Sequence, residues 1–325
     1  MVITFADSRT RNGARPIDPS QDFPQLVRLI RQVFADELDG NSQQIFDNVA
    51  SSGYANIFWR MDPFLQRLIP GFVWQEDGKI VGNVTLIKTK SPYRYIVANV
   101  AILPEYRRRG IARALMERVR DEAIMRGASE IRLQVAQDNV AAKDLYRSLG
   151  YRALGTLTNW RRLPARSYSA PELYVGRGVE IDELPRSRWR EAYELDVMAL
   201  GSDLHWPDPL PYDAYRRGFV RRISDAATGR HIENWVISGS SGRLVGLLTI
   251  SGEWGRSHQL SIRIHPENRG QFEGPLLQKA IRRLQLLPLR RAYLSHDAGD
   301  EVMSSLMPSA RFQPERTLTQ MRLLL

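Results

Sequence analysis

The chain has 325 residues and a mass of 37.2 kDa, with 43% hydrophobic residues, 25% charged residues and a net charge of +10. This length and composition predict two globular domains and exclude a mainly disordered chain. The chain contains no cysteine and no apolar run of the about 18 residues that a membrane span needs, so we expect a cytoplasmic protein with no disulfide, no thiol catalysis and no membrane partner.

The first elements of the chain are predicted to be a helix and a hairpin. Ser20 is predicted to cap a helix that runs to about Asp36, with four apolar residues on one face: Leu26, Leu29, Ile30 and Val33. Two β-rich segments, 71–76 and 79–89, follow and are joined at Asp77-Gly78. This dipeptide is a strong signal for a hairpin turn.

Helices and strands then alternate. The apolar positions Ile111, Leu115, Val119 and Ala123 recur at helical spacing between Arg107 and Arg126, and Gly127 ends the pattern. The other predicted elements are the strand Tyr93–Leu103, the strand Ile131–Ala136, the helix Asn139–Leu149 and the strand Tyr151–Arg162. This order predicts an α/β or α+β layer fold with a mixed, mainly antiparallel sheet flanked by helices.

The second half of the chain repeats the first. Gly78–Leu86 returns as Gly242–Ile250, Leu103–Arg107 as His265–Arg269, and Leu157–Arg161 as Leu318–Arg322, all in the same order. A period of more than 160 residues is too long for a solenoid repeat, so we predict two copies of one domain. The predicted bounds are 1–164 and 178–325, with a linker at 165–177.

One segment of the first copy combines a strand end, a glycine turn and a helix start. Residues 107–112 read Arg-x-x-Gly-x-Ala, and Gly110 permits close approach of the backbone to a ligand. The first N–H groups of the helix have no partner within it, and the arginines add positive charge. The segment is therefore either an anion site suited to a pyrophosphate or a basic loop capped by water.

A second motif decides between these interpretations. Asn139 is followed by six residues and Tyr146, and three residues later by Gly150-Tyr151. The pair of motifs resembles the GNAT superfamily of acyl-CoA-dependent N-acyltransferases, which combine a (Q/R)xxGx(G/A) loop with Asn-x6-Tyr-x3-Gly-(Phe/Tyr). The resemblance covers about residues 14–163.

The resemblance implies a set of cofactor-binding residues for acetyl-CoA. Val100, Ala101 and Ile102 would bind the acetyl group and the pantetheine arm through the backbone. The pyrophosphate loop would consist of six consecutive residues: Arg107, Arg108, Arg109, Gly110, Ile111 and Ala112. Asn139 would contact CoA, and no metal is expected.

Tyr146 is the catalytic candidate that the resemblance implies. Its phenol is protonated at pH 7 and would donate a proton to the departing sulfur; the alternative is an ordinary core aromatic. The sequence does not identify the general base that accepts the proton of the amine. Ribosomal-protein acetyltransferases of this family carry a glutamate where this chain has Gln134, which cannot accept a proton, and a water held by Asn99 or Asn83 is another possibility.

The acceptor is expected near the first helices. Three acidic residues there, Asp36, Glu37 and Asp39, either attract a cationic amine or form the solvated end of a helix. Four aromatic residues could line a pocket or pack in the core: Phe58, Trp59, Phe64 and Trp74. The acceptor is a small-molecule amine or a peptide amine, and the chain is a monomer or a homodimer.

The second copy is predicted to be degenerate. Aligned on Pro104 and Pro266, it has Phe272 in place of Gly110, and the adjacent Glu273 would repel a phosphate. It lacks the Asn-x6-Tyr pair, and its histidines have no metal-type spacing. The arrangement resembles tandem GNAT chains, mycothiol synthase among them, in which one copy works and the other is degenerate.

The resulting prediction is an acyltransferase that moves an acetyl group from acetyl-CoA to a primary amine by direct attack in a ternary complex. The alternatives are a protein N-terminal acetyltransferase and a catalytically silent CoA-binding scaffold. Only five of the 46 basic residues are lysine, and Arg107–Arg109 is the only basic triplet, so we expect no nucleic-acid partner despite the net charge.

Overall fold

The computed structural model describes residues 12–34, 71–165, 179–216, 218 and 229–325. The described elements of the first copy alternate largely as the sequence predicts. They are β1 (Gly13–Pro16), α1 (Pro19–Val33), β2 (Gly71–Glu76), β3 (Lys79–Lys88), β4 (Arg94–Ile102), α2 (Ile111–Met125), β5 (Glu130–Ala136), α3 (Val140–Ser148) and β6 (Arg152–Arg162). The predicted hairpin turn is confirmed, because Asp77 and Gly78 both have positive φ, 47° and 79°.

One predicted helix start is wrong. The cap of α1 is Asp18 and not Ser20: its carboxylate accepts from the backbone N–H of Ser20 at 3.0 Å, and Pro19 occupies the first turn. The second helix starts at Ile111, directly after the predicted glycine turn, because Arg108 and Gly110 have left-handed backbones with φ of 62° and 79°. A helix cannot pass through such residues, so 107–110 forms a loop.

The second copy repeats this order. Its elements are β7 (Asp182–Glu183), α4 (Trp189–Leu200), β8 (His231–Ser238), β9 (Leu244–Gly252), β10 (His258–Ile264), α5 (Glu273–Leu284), β11 (Ala292–Asp297), α6 (Glu301–Ser309) and β12 (Phe312–Leu324). The matched repeat segments lie on equivalent elements, since β3 corresponds to β9 and the turn after β4 corresponds to the turn after β10.

The chain divides into two compact units. The first holds the described residues up to Gln134, with Ala141–Arg152 and Met321–Leu325; the second holds Val135–Val140 and the described part of Ala153–Gln320. Nearly all of β6 is thus grouped with the second copy, and the last five residues are grouped with the first. The bounds 1–164 and 178–325 with a 165–177 linker stay a prediction from the repeat.

Each unit contains a mixed sheet. The strand order is β1-β2-β3-β4-β5 in the first unit and β6-β11-β10-β9-β8-β7 in the second, and the residues of β12 are divided between the units after Gln320. The pairs β4–β5 and β10–β11 are parallel. Seven other pairs are antiparallel: β1–β2, β2–β3, β3–β4, β6–β11, β7–β8, β8–β9 and β9–β10. The predicted α/β class with mainly antiparallel sheets is confirmed.

A repeated glycine lets a strand approach a helix in both units. A Cβ added to Gly82 on β3 would lie 2.8 Å from Cδ1 of Ile102 and 3.2 Å from side-chain atoms of Ile111 and Leu115. At the equivalent Gly246 it would lie 3.1 Å from Cδ1 of Leu276. The four predicted apolar positions of α2 are all buried. Among the described residues, no helix combines the length and apolar character that crossing a membrane requires.

Candidate functional site

Strand β4 carries a bulge before the loop. Asn83 and Thr85 of β3 pair with Ala101 and Ala98, so two residues of β4 lie opposite a single residue of β3. Asn99 has φ of 52°, which asparagine tolerates better than most residues. Because the extra residue of a bulge is left out of the ladder, the bulge reorients the backbone just before Val100.

The end of β4 is separated from β5. The parallel register joins only Arg94, Tyr95 and Ile96 to residues 130–132 of β5. The predicted segment Val100–Ile102 lies beyond this paired region. Its backbone groups on the β5 side have no paired residue on that strand, which leaves them available to a ligand between the two strands.

A short turn connects β4 to the helix. Nε of Arg107 donates to the carbonyl oxygen of Ile102 at 3.2 Å, which ties the loop back to the strand end. The two left-handed residues, Arg108 and Gly110, then direct the chain into α2. The strand end and the loop, predicted separately to bind the acyl arm and the pyrophosphate, are therefore adjacent.

The N-terminus of α2 has no side-chain cap. Its cap position is Gly110, its first turn contains no acidic residue, and Ile111 and Ala112 belong to that turn. A Cβ added to Gly110 would meet no atom within 4 Å, so the space beside this residue is open. First-turn N–H groups without intrahelical partners and the positive end of the helix dipole favour an anion. The loop thus fits a pyrophosphate.

The three arginines of the loop differ in their partners. Arg107 is tied to Ile102 as described, and Arg109 donates to Glu76 at 2.9 Å and lies 5.2 Å above the ring of Tyr106. Arg108 has no hydrogen-bond or ion-pair partner within the described parts of the chain. Since its charge is not neutralised by a carboxylate, Arg108 is the arginine best suited to an incoming phosphate.

Tyr146 lies on α3, which contacts the start of α2. Nη2 of Arg113 donates to Oγ of Ser148 at 2.7 Å, and Ser148 is two residues beyond Tyr146. The ring of Tyr146 is 6% exposed and packs against Tyr151 with centroids 5.9 Å apart. Burial raises the pKa of Tyr146 to about 12, so its hydroxyl keeps its proton throughout the neutral range.

A buried amide lies beside the bulge. Nδ2 of Asn83 donates to the backbone oxygen of Asn99 at 3.0 Å, and the Asn83 side chain is almost fully buried. Its Oδ1 is shielded from solvent and has no hydrogen-bond partner. An unsatisfied buried acceptor is costly, and a water-sized group does not reach this oxygen in the described structure; the predicted role of Asn83 in holding a water stays a prediction.

The structure does not place the other predicted residues beside the loop 107–112 and the end of β4. Asn139 is exposed and precedes α3, in the segment 135–140 that is grouped with the second unit; its role in CoA binding stays a prediction. Trp74 donates through Nε1 to Glu76 at 3.2 Å on β2. The remaining acceptor candidates lie outside the described residues: Asp36, Glu37, Asp39, Phe58, Trp59 and Phe64.

The equivalent loop of the second unit is filled from within. Both carboxylate oxygens of Glu273 accept backbone hydrogen bonds, from Gly270 at 2.9 Å and Phe272 at 3.1 Å, and Glu273 is 1% exposed. The cap residue Phe272 has φ of −120°, unlike Gly110. An internal carboxylate is therefore bonded to the amides of Gly270 and Phe272, the counterparts of Arg108 and Gly110, and its charge next to the N-terminus of α5 repels a phosphate. Within the described ranges there is no group of three or more His, Asp or Glu side chains arranged to hold a metal.

Three features of the loops were missed by the sequence analysis. The bulge at Asn99 has a weak signal, an asparagine in the middle of a strand, where that residue is depleted. Glu273 was interpreted as repelling phosphate, although its position directly after the cap also suits it to cap the loop amides. The bond between Arg113 and Ser148 joins residues 35 positions apart and has no signal in the sequence.

Comparison with known proteins links the first copy to a family. Residues 41–151 match the model of the acetyltransferase (GNAT) family. An acetyltransferase of Pectobacterium atrosepticum is 34% identical over 91 residues, which are 28% of this chain and 63% of that protein. The [ribosomal protein bS18]-alanine N-acetyltransferase of Escherichia coli K12 is 45% identical over 53 residues, 16% of this chain and 36% of that protein.

These matches span less than two thirds of the length of either curated relative. The similarity in fold covers more of the chain than these sequence matches do. A GCN5-related N-acetyltransferase from Sphaerobacter thermophilus superposes with a TM-score of 0.60 at 16% identity, covering 98% of this chain and 96% of that one. At this identity the likeness concerns the fold alone. Over residues 41–151, the chain is similar to the acetyltransferase (GNAT) family.

Proposed function

We propose that the chain is an acetyl-CoA-dependent N-acetyltransferase that transfers an acetyl group to a primary amine by direct attack in a ternary complex. The observation that carries this proposal is the uncapped N-terminus of α2 beside the open space at Gly110. The curated relatives, both named as acetyltransferases, support the same activity. When bound, acetyl-CoA supplies the thioester that is the acyl donor.

The chain's own groups have distinct roles in binding this donor. The N–H groups of Ile111 and Ala112, with the side chain of Arg108, hold the pyrophosphate. Arg107 and Arg109 support the loop through Ile102 and Glu76 and add positive charge. The backbone of Val100, Ala101 and Ile102, beyond the last paired residue of β4, orients the acyl arm and presents N–H donors to its carbonyl oxygen.

The hydroxyl of Tyr146 is the proton donor in this proposal, and the general base is not assigned. The hydroxyl of Tyr146 stays protonated at neutral pH and donates toward the sulfur as it departs. With a pKa of about 12 the phenol is a weak acid, so a strong hydrogen bond is its main contribution. Asn83 is not assigned as the base, because an amide does not take up a proton and its Oδ1 is closed to solvent.

The acceptor belongs to the broad class of small or peptide amines. A peptide N-terminus is the second candidate, favoured by the match to the bS18-alanine enzyme over 53 residues. Gln134 weakens this candidate, because a glutamine cannot act as the base that a glutamate at this position would supply.

The test is a calorimetric titration of the full chain with acetyl-CoA, followed by thiol-release assays on a panel of amines and peptide N-termini. We expect one site per chain, abolished in Gly110→Phe, and turnover on at least one amine. Binding without turnover on any acceptor would favour the silent CoA-binding scaffold. Absence of binding would refute the proposal, and two sites would refute the assignment of CoA to the first unit alone.

A further inference from the structure

Helix α3 buries little surface that would hold Tyr146 in place. The helix has nine residues, and Tyr146 is its one buried residue. A helix this short has little stability of its own in water, and most helices in proteins are held by a buried apolar face. The orientation of the Tyr146 phenol therefore depends on a small number of specific contacts around α3.

The turn after α3 holds the backbone of Tyr146 from one side. Its carbonyl oxygen accepts from the N–H of Leu149 at 3.1 Å and from the N–H of Tyr151 at 3.0 Å. Gly150 lies between these two donors with φ of 91°, and a Cβ there would lie 3.2 Å from Cδ1 of Leu323 on β12. These contacts fix the chain after the helix, but none of them joins α3 to α2.

The hydroxyl of Ser148 makes that connection. Its Oγ accepts from Nη2 of Arg113 on α2 at 2.7 Å and donates to the carbonyl oxygen of Leu145 at 2.6 Å. This carbonyl belongs to the peptide group that links Leu145 to Tyr146. Because a hydroxyl both donates and accepts, Ser148 ties the backbone directly before Tyr146 to a side chain of the neighbouring helix.

Arg113 places the connection beside the proposed donor site. It is the third residue of α2 and lies in the same turn as Ile111 and Ala112, whose N–H groups we assign to the pyrophosphate. The turn of α2 that meets the donor and the turn of α3 that carries Tyr146 are therefore joined through a hydrogen bond from a charged group.

We infer that Arg113 and Ser148 are positioning residues, which hold the Tyr146 hydroxyl toward the departing sulfur through the bond between α2 and α3. This inference rests on the proposed role of Tyr146 as the proton donor. Donation to the sulfur needs a hydrogen-bond distance of about 2.6–3.2 Å. A displacement of about 1 Å in a reacting group can lower a rate by about 100-fold, so the attachment of α3 matters for the reaction.

The kinetic test replaces Ser148, because removal of Arg113 would also take a positive charge from the proposed phosphate site. Ser148→Ala is expected to lower kcat about 10-fold with little change in the KM of acetyl-CoA. Ser148→Thr keeps the hydroxyl on this exposed residue and is expected to retain the wild-type rate. In the Tyr146→Phe background, Ser148→Ala should have no further effect on kcat. An equal fall in both backgrounds would overturn the inference, because Ser148 would then not act through Tyr146.

Ser305 of the second unit provides a matched control. Its Oγ donates to the carbonyl oxygen of Val302 at 2.8 Å, the same bond to the residue three positions earlier that Ser148 makes to Leu145. In the described structure Ser305 has no bond to another helix. Ser305→Ala should therefore leave kcat unchanged, and a fall equal to that of Ser148→Ala would contradict the inference.

A second measurement does not depend on turnover. The full chain is labelled with 3-fluorotyrosine, and the ¹⁹F signal of Tyr146 is assigned by its loss in Tyr146→Phe. Ser148→Ala is expected to shift this signal toward that of an exposed tyrosine, whereas Ser148→Thr and Ser305→Ala leave it in place. An unchanged signal in Ser148→Ala would overturn the inference even in an active acetyltransferase. A shifted signal in a chain without turnover would support the link from Ser148 to Tyr146 and refute the proposed function.

Discussion

Replacing Gly110 by alanine tests the anion loop at its most constrained residue. Gly110 has φ of 79° and a Cβ there would meet no atom within 4 Å. The substitution therefore causes no clash within the described structure. Its effects are confined to the backbone conformation and to the space that we assign to the pyrophosphate.

Gly127 provides a matched control. It follows the C-cap of α2, has φ of 76°, and its added Cβ would also meet no atom within 4 Å. A left-handed backbone costs an alanine about 1–2 kcal/mol, offset by about 0.4–1 kcal/mol because alanine restricts the unfolded chain more than glycine does. Both variants should thus lose a similar free energy of unfolding, about 1 kcal/mol.

Affinity for CoA should separate the two variants. A methyl group at residue 110 would hold a phosphate away from the N–H groups of Ile111 and Ala112. Loss of one hydrogen bond to a charged group costs about 1.5–3 kcal/mol, which corresponds to roughly a 10- to 100-fold rise in the dissociation constant. Gly127→Ala should leave this constant unchanged.

The assay combines urea denaturation, which compares the midpoints of the two variants, with calorimetric titration of CoA. Unchanged affinity in Gly110→Ala, together with the same loss of stability as in Gly127→Ala, would refute the loop as the phosphate site. Weaker binding in both variants would mean that the substitutions act through the stability of α2.

Four further substitutions test individual residues of the first unit. Arg108→Ala should raise the dissociation constant of CoA about 10-fold and Arg109→Ala much less, because Glu76 already neutralises Arg109; titration calorimetry measures both, and the reverse order would contradict our assignment. Tyr146→Phe should lower kcat about 100-fold with little change in the KM of acetyl-CoA, and an unchanged kcat would make Tyr146 a core residue only. Because the pKa of Tyr146 is about 12, ionisation of its phenol should not lower the wild-type rate below about pH 11. Gly82→Ala should destabilise the first unit by about 1–3 kcal/mol in urea denaturation, because its methyl group would overlap Cδ1 of Ile102 on β4. Wild-type stability would mean that the Ile102 side chain moves aside.

The sequence predicted those parts of the fold that depend on local patterns. The period of Ile111, Leu115, Val119 and Ala123 identified α2, and Asp77-Gly78 identified the hairpin. The start of α1 was misplaced because Asp18 and Ser20 are both residue types that cap helices, and the apolar period does not distinguish between them. The grouping of β6 with the second copy depends on pairing with β11, which is 130 or more residues away and has no local signal.

Sequence motifs predict which residues belong to the candidate site, but not how those residues contact one another. The loop and Tyr146 follow from short motifs, whereas the difference between Arg108 and Arg109 depends on Glu76, which is distant in sequence. The sequence presents Asn83 only as one of two residues that could hold a water. Its bond to the Asn99 backbone and its unpaired oxygen emerge from the β3–β4 register, which a bulge shifts by one residue.

The two loops satisfy the same backbone requirement in different ways. Each follows a strand end, contains a left-handed residue at the matched positions Arg108 and Gly270, and precedes a helix.

In the second copy a buried carboxylate satisfies the amides, so Glu273→Ala should lower the stability of that unit by about 1–3 kcal/mol. It should not create a CoA site, because Phe272 still occupies the cap position. Urea denaturation and CoA titration of Glu273→Ala check both statements, and a second CoA site in this variant would show that Glu273 alone blocks binding. In the first copy, no carboxylate among the described residues is bonded to the equivalent amides, which is consistent with our proposal that the pyrophosphate of CoA binds there.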